Sequence, residues 1–316
     1  MNRSTQSNEE PELLITTLEE AGTRIDKLLA LRYPKYSRTY FQNLIEMKSV
    51  LIDGEPVKKR TIADEGDEIE VIFQATPEAS LEPEQIPLDI LYEDEHILAV
   101  NKPAGMVVHP APGNWSGTFV NALLGYCQNV APGSDPLRPG IVHRLDKDTT
   151  GVMVAAKTLA AHQKLIELFS NRKIEKLYLA VCHGRPASQI INMPIGRNPS
   201  RRKEMTVLPD GKDALTEIQV AAFNEKMSLV LAKPRTGRTH QIRVHLKALG
   251  CPVLGDAIYA KPDPNGPERQ LLHAYKLSFD HPITNAPIRL IAPIPADMKT
   301  YLQKLCGPSL CASAIH

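Results

Sequence analysis

Pro139-Gly140-Ile141-Val142-His143-Arg144-Leu145-Asp146-Lys147-Asp148-Thr149-Thr150-Gly151 crowds five charged or titratable side chains into the approach to a short apolar run. That run, residues 151–156, is among the longest in the chain, strand-sized and far below the ~18 apolar residues a membrane span requires. Working outward, 97–100, 176–182, 216–221 and 228–232 have the composition of further strands. Residues 118–126, 158–169 and 239–249 read as helices, each opening on a threonine placed to act as N-cap. Gly250 is placed as the residue that ends the last of them. Strands and helices alternate too irregularly for a repeated βαβ wind, so a mixed α+β domain is expected.

Ahead of this segment, Ile25, Leu28 and Leu29, then Phe41, Leu44 and Ile45, fall at helical spacing, with Ser37 a candidate N-cap for the second helix. Val50-Leu51-Ile52 runs into Asp53-Gly54, a hairpin signal, and 68–73 alternates like a strand. These predict a helix–helix–hairpin domain over 22–74. Residues 74–87 hold three prolines and three glutamates, so 75–87 reads as an acidic linker, with the larger domain at 88–306. A length of 316 residues suits two domains.

Thirty-seven basic residues against 36 acidic ones leave a net charge of +1, which in bulk argues against a nucleic-acid partner. The distribution argues otherwise. Residues 24–60 carry nine Lys or Arg against four Asp or Glu, whereas 62–95 carry twelve acidic residues and no basic one. Arg197, Arg201, Arg202 and Lys203 form a second basic cluster, and 233–247, with Lys233, Arg235, Arg238, Arg243 and Lys247, form a third that holds no acid. Any one cluster reads as solvated surface; three of them suit a phosphate-bearing partner.

Other chemistries lack their residues. No phosphate-cradling glycine loop and no GxSxG turn is present, so nucleotide cofactors and serine nucleophiles have no usual seat. His240 and His245 are five apart, on different faces of a helix, and the five cysteines have no zinc spacing, so no metal site is expected. The odd, scattered cysteines fit reduced thiols in the cytoplasm. The first residues, MNRSTQSNEEPE, do not have the make-up of a signal peptide.

Taken singly, Asp146 could cap a turn or pair with Arg144, and Tyr178 could be a core aromatic. Taken together, the segments carry more. HRLDKDTTG at 143–151, EKLYLA at 175–180 and TGRTHQIRVHL at 236–246 resemble, in order and spacing, the RluA/RluD family of pseudouridine synthases. The resemblance extends to NKPAGMVVHPAPGNWSGT at 101–118, LGDAIY at 254–259 and LLHAYKL at 271–277; Ala260 stands where the family often has glycine. The N-terminal unit is similar to an S4 RNA-binding domain. IPLDILYEDE and HRLDKDTTG are similar to the RluD branch, whose members act on large-subunit ribosomal RNA.

That resemblance implies a largely antiparallel catalytic sheet and isomerisation of particular uridines in RNA, without cofactor or metal. It implies a cytoplasmic enzyme with an RNA partner and no membrane; a monomer is expected, because no apolar stripe advertises a dimer. It assigns catalytic roles to Asp146, Tyr178 and Arg243. Arg144 would help displace the base, and His143, Arg238, His240 and Gln241 would contact substrate. The chemistry is consistent: breaking the bond from C1′ to N1 builds positive character at C1′, which a carboxylate can stabilise, attack, or relieve by taking a proton from C2′. Arg243 is expected to hold Asp146 through a two-pronged pair. A non-catalytic RNA-binding factor would have lost Asp146, which is present; a hydrolytic glycosylase would release free uracil.

Overall fold

The computed structural model describes residues 11–34, 36, 38–73, 81–110, 114–133, 137–201 and 204–306. The chain divides into two units, Met1–Ser80 and Leu81–His316.

The first unit holds β1 (Glu12–Ile15), α1 (Ile25–Arg32), α2 (Arg38–Glu46), β2 (Val50–Ile52), β3 (Glu55–Pro56) and β4 (Glu68–Val71). All six residues that set the helical period, from Ile25 to Ile45, are buried with Val50, Ile69 and Val71. Asp53 and Gly54 take φ of 51° and 79°, the doubly left-handed turn that a two-residue hairpin needs. β1 was not foreseen. It pairs with β4 through Leu14↔Ile69, so the sheet begins ahead of residue 22. Leu13 and Ile15 of β1 are exposed, which leaves no core-facing alternation to read in the sequence. Ser37 lies outside the described residues.

The second unit follows with β5 (Ile90–Glu93), β6 (Ile97–Lys102), α3 (Phe119–Tyr126), β7 (Thr150–Ala156), α4 (Leu159–Ser170), β8 (Glu175–His183), β9 (Gln189–Asn192), β10 (Ile195–Arg197), β11 (Met205–Val207), β12 (Leu215–Phe223), β13 (Met227–Pro234), α5 (Gln241–Ala248), β14 (Leu272–Asp280), β15 (Pro287–Ile291) and α6 (Ala296–Cys306). Nine strands form one sheet in the order β5-β6-β7-β14-β8-β13-β12-β9, with β15 on β14, while β10 and β11 make a separate hairpin. Only β7–β14 is parallel among its pairs; the rest are antiparallel, so the α+β expectation stands. Gly151 sits at the parallel junction with φ of 114°, and a Cβ there would lie 2.2 Å from the Ala274 carbonyl oxygen. Glycine is what lets the end of the HRLDKDTTG stretch cross β14.

Thr118 caps α3 in a reciprocal box with Asn121, and Thr158 accepts from the Ala161 amide at the start of α4. The third helix departs from expectation. Its N-cap is His240, not Thr239, with φ of 57°, because the Gln241 side chain turns back to accept from the Arg238 amide and the Thr236 hydroxyl. Its end is as read: Gly250 donates to Lys247 and Cys251 to Leu246, a Schellman close. The expected linker also differs. Residues 81–87 pack on α3, with the Glu84 amide on the Asn121 carbonyl at 3.0 Å and Ile86 against the core. Residues 74–80 lie outside the described residues.

Candidate active site

Three elements meet around one cavity of about 510 Å³, a volume suited to a small ligand. The loop into β7 brings His143, Arg144 and Asp146; β8 brings Tyr178; the turn into α5 and its first turn bring Arg238, His240, Gln241 and Arg243. All eight residues singled out from the sequence line it.

Asp146 and Arg243 are 97 residues apart in the chain, and the Arg243 Nη1 donates to Asp146 Oδ2 at 2.9 Å. The two-pronged pair is elsewhere. Nε and Nη2 of Arg243 donate to Asp256 at 2.7 and 2.8 Å, so the fork grips Asp256 and a single prong reaches Asp146. Asp256 is wholly buried, and its Oδ1 also accepts from the Ile258 and Tyr259 amides. Burial opposes the Arg243 charge, but hydrogen bonding to Asp256 and the field of both carboxylates outweigh it and push its pKa above the ordinary value. The arginine is thus a fixed cation, and Asp146, with a side chain 19% exposed, is its solvent-facing partner.

A second line reaches the same carboxylate. The Tyr259 hydroxyl accepts from the Met205 amide at 2.8 Å and lies 2.8 Å from His240 Nδ1. Nε2 of the same ring lies 3.9 Å from Asp146 Oδ1. Burial holds His240 below the ordinary imidazole value against the opposing pull of Asp146, so it is neutral near pH 7. Tyr178 is half-buried between two core clusters, and its hydroxyl has no hydrogen-bond partner among the described residues. Burial, then the nearby Asp146 charge, raise its pKa, so it remains a proton donor.

The other lining residues divide into open and engaged. Arg144 is exposed and makes no hydrogen bond or ion pair among the described residues, though it feels the nearby Asp146 charge. Arg238 is exposed with Nε on the Asp213 carbonyl. Gln241 is engaged: its oxygen serves Thr236 and Arg238, and its Nε2 donates to Leu215 and Thr216. His143 is engaged too. Its Nε2 accepts from the Val154 amide at 3.0 Å, its ring stacks on Phe169 at 4.7 Å, and burial holds its pKa down at about 3. Both expected substrate contacts therefore commit polar groups to the fold. Arg202 and Lys203 lie outside the described residues.

Sequence reading gave no role to Asp256, Tyr259 or Lys102. The first two stand inside the quoted LGDAIY stretch, where a lone acid reads as a turn residue. Lys102 ends an apolar strand yet is fully buried, and its Nζ donates to the Pro103, Met106 and Lys147 carbonyls at 2.7, 2.9 and 2.9 Å. Burial pulls its pKa down to about 7, with Asp148 and Asp146 pulling the other way. It ties β6 to the loop one residue beyond Asp146. Among the described residues no cluster of His, Cys, Asp or Glu could hold a metal ion, and no helix is long and apolar enough to cross a membrane.

Known proteins resemble this chain over most of its length. Residues 96–248 match the RNA pseudouridylate synthase family model, and residues 23–69 match the S4 domain. The chain is 40% identical over 289 residues to an uncharacterised RNA pseudouridine synthase, YlyB, of Bacillus subtilis, covering 91% of this chain and 95% of that one. It is 40% identical over 309 residues to ribosomal large subunit pseudouridine synthase D of Xanthomonas campestris, covering 93% and 92%. Among solved structures, human RNA pseudouridylate synthase domain containing 1 superposes with a TM-score of 0.54 at 29% identity, covering 68% of this chain and 84% of that one. A cavity built on HRLD and QIR, in a chain this alike over nine-tenths of its length, belongs to the RNA pseudouridylate synthase family: the protein is an RNA pseudouridine synthase, an isomerase, with an S4 domain near its N-terminus.

Proposed function

We propose that the protein converts particular uridines of large-subunit (23S) ribosomal RNA to pseudouridine, with Asp146 as the catalytic carboxylate acting on a base flipped out of its stack. The observation that carries this is the Asp146 carboxylate in the cavity, held 2.9 Å from a buried, permanently charged Arg243. Breaking the C1′–N1 bond builds positive character at the sugar, and an ionised carboxylate beside it lowers that barrier. The base then turns and C1′ joins C5, with loss of the C5 proton and gain of one at N1, so substrate and product are isomers. The Tyr178 ring offers the flipped base a face, and its free hydroxyl a donor. Arg144, unpaired at the lining, fills the space that the base leaves, at an unstacking cost of a few kcal/mol. Arg238 contributes phosphate contact. The enzyme is read as a monomer acting in the cytoplasm, where its ribosomal RNA substrate is made.

Tritium release from RNA labelled at uridine C5 tests the assignment. Asp146→Asn should lower turnover by roughly a thousandfold or more while RNA affinity stays within a few-fold of wild type. Turnover near wild type would remove Asp146 from the reaction. The substrate is tested by mapping pseudouridine in 23S RNA from cells with and without the protein.

A further inference from the structure

On the face of the large sheet away from the active-site cavity lies a second groove, of about 470 Å³. Strand alternation accounts for its lining. Tyr178 and Ala232 pair across β8 and β13 and lie toward α5, so their strand neighbours Leu177, Leu231 and Lys233 point to the other face. Lys276 pairs with Leu177, and Arg289 on β15 pairs with Ser278 two residues further along β14, which brings both cations into the same groove.

Six basic side chains line it against one acidic one, Glu175. Lys233, Lys276 and Arg289 have no hydrogen bond or ion pair among the described residues. Arg172, Lys176, Pro234 and Arg235 line both this groove and the active-site cavity, forming a shared rim. At that rim burial, and then repulsion from Arg172 and Arg235, depress the Lys176 pKa. Arg235 pairs with Glu217 at 3.1 Å, but the remaining cations have no ion pair among the described residues, and like charges gathered this closely are a standing cost, which a bound polyanion removes.

We propose that this groove binds the sugar–phosphate backbone of the substrate RNA flanking the target uridine, the strand passing from the cavity over the Arg172–Lys176–Arg235 rim. This rests on the reading that RNA enters the cavity. Leu177, Leu231 and Tyr275 give the groove an apolar floor for sugars, and Lys233, Lys276 and Arg289 stand where phosphates would pass.

The test uses the full chain and two RNAs, a minimal hairpin bearing the target uridine and the same hairpin extended on both sides. In the triple variant Lys233→Glu, Lys276→Glu, Arg289→Glu, affinity for the extended RNA should fall about 10- to 100-fold, and the slope of log K against log salt should flatten by about 2. Binding and turnover of the minimal hairpin should stay within twofold of wild type. A triple Gln variant, which removes charge without adding repulsion, should flatten the slope alike and covers the case in which charge reversal unfolds the sheet. Unchanged affinity and salt slope on the extended RNA would overturn the proposal, whatever other polyanion the groove then served. Because binding is read apart from turnover, a wild type that binds but forms no pseudouridine would fail the parent reading, while the salt slopes would still decide whether the groove holds the RNA backbone.

Discussion

Arg243 decides the site at the scale of the residue. Its guanidinium is planar, and with two of its N–H groups committed to Asp256, the direction of the third toward Asp146 is set. Asp256 is buried and does not line the cavity; it is a positioning residue. Replacing it with Asn keeps the shape but removes a buried countercharge, and breaking one side of such a pair costs about 3–5 kcal/mol. Asp256→Asn should therefore lower kcat about 10- to 100-fold with KM little changed, and lower the melting temperature. Steady-state kinetics beside thermal unfolding checks this; a loss confined to KM would place Asp256 in substrate binding instead. The sequence could not show this role, since Asp256 lies 13 residues from Arg243 across a turn, and nothing in the spacing says which of two acids receives the fork.

At the scale of the element, the stretch entering β7 is held by what the sheet lacks. β14 pairs with β7 only at Thr150 and Gly151, so beyond them the edge of β7 needs other partners. His143 supplies one, its neutral ring accepting from the Val154 amide. His143→Ala should leave that amide unsatisfied at about 1–3 kcal/mol, raise its hydrogen exchange and lower kcat through Asp146 three residues on; His143→Gln, which restores an acceptor, should recover part of both. Equal loss in the two variants would argue that the ring itself meets substrate.

In the S4 unit the comparable fastening is Asp26, wholly buried and accepting from Arg24, Arg38 and Gln42. Burial opposes its charge, but those hydrogen bonds prevail and lower its pKa from 3.8 to about 2. The folded value is below the unfolded one, so the stabilisation is complete above pH 3.8 and is lost as pH falls toward 2. Asp26→Asn should cost about 2 kcal/mol at pH 7, read as faster hydrogen exchange in α1 and α2, and the difference should close in that acid window. Helices α1 to α4 were legible because a 3.6-residue period repeats over their buried faces, and in α3 and α4 because a threonine caps them. β1, β9 and β15 were not, being short strands whose patterns expose large apolar side chains such as Ile15, Ile190 and Ile291.

At the scale of the molecule, the near-zero net charge is a cancellation between basic segments, residues 24–60 among them, and the acidic stretch at 62–95. Eight of the residues lining the cavity were readable because short motifs carry them together, whereas the groove behind the sheet was not, its cations coming from β13, β14 and β15 far apart in sequence. The two units also keep separate cores. The cluster around Ile25 and Phe41 contains residues from the first unit alone, and those around Val154, Leu123, Val230 and Leu179 from the second alone. Removing residues 1–80 thus takes no residue from the core clusters of the catalytic unit, so the truncated chain should melt cooperatively and turn over a minimal hairpin within a few-fold of the intact rate. What it loses is the basic segment at 24–60, although residues 1–80 as a whole carry ten basic side chains against fifteen acidic ones. Residues 24–60 carry nine basic side chains, and each phosphate left without its cation flattens the salt dependence by about 0.7–0.9. Affinity for long ribosomal RNA should fall at least about tenfold, and uridines outside the normal target should begin to be modified. Pseudouridine mapping with the truncated and intact chains reads both effects. An intact target set at unchanged affinity would make the S4 unit a passenger, and a truncated chain that fails to fold would make it structural.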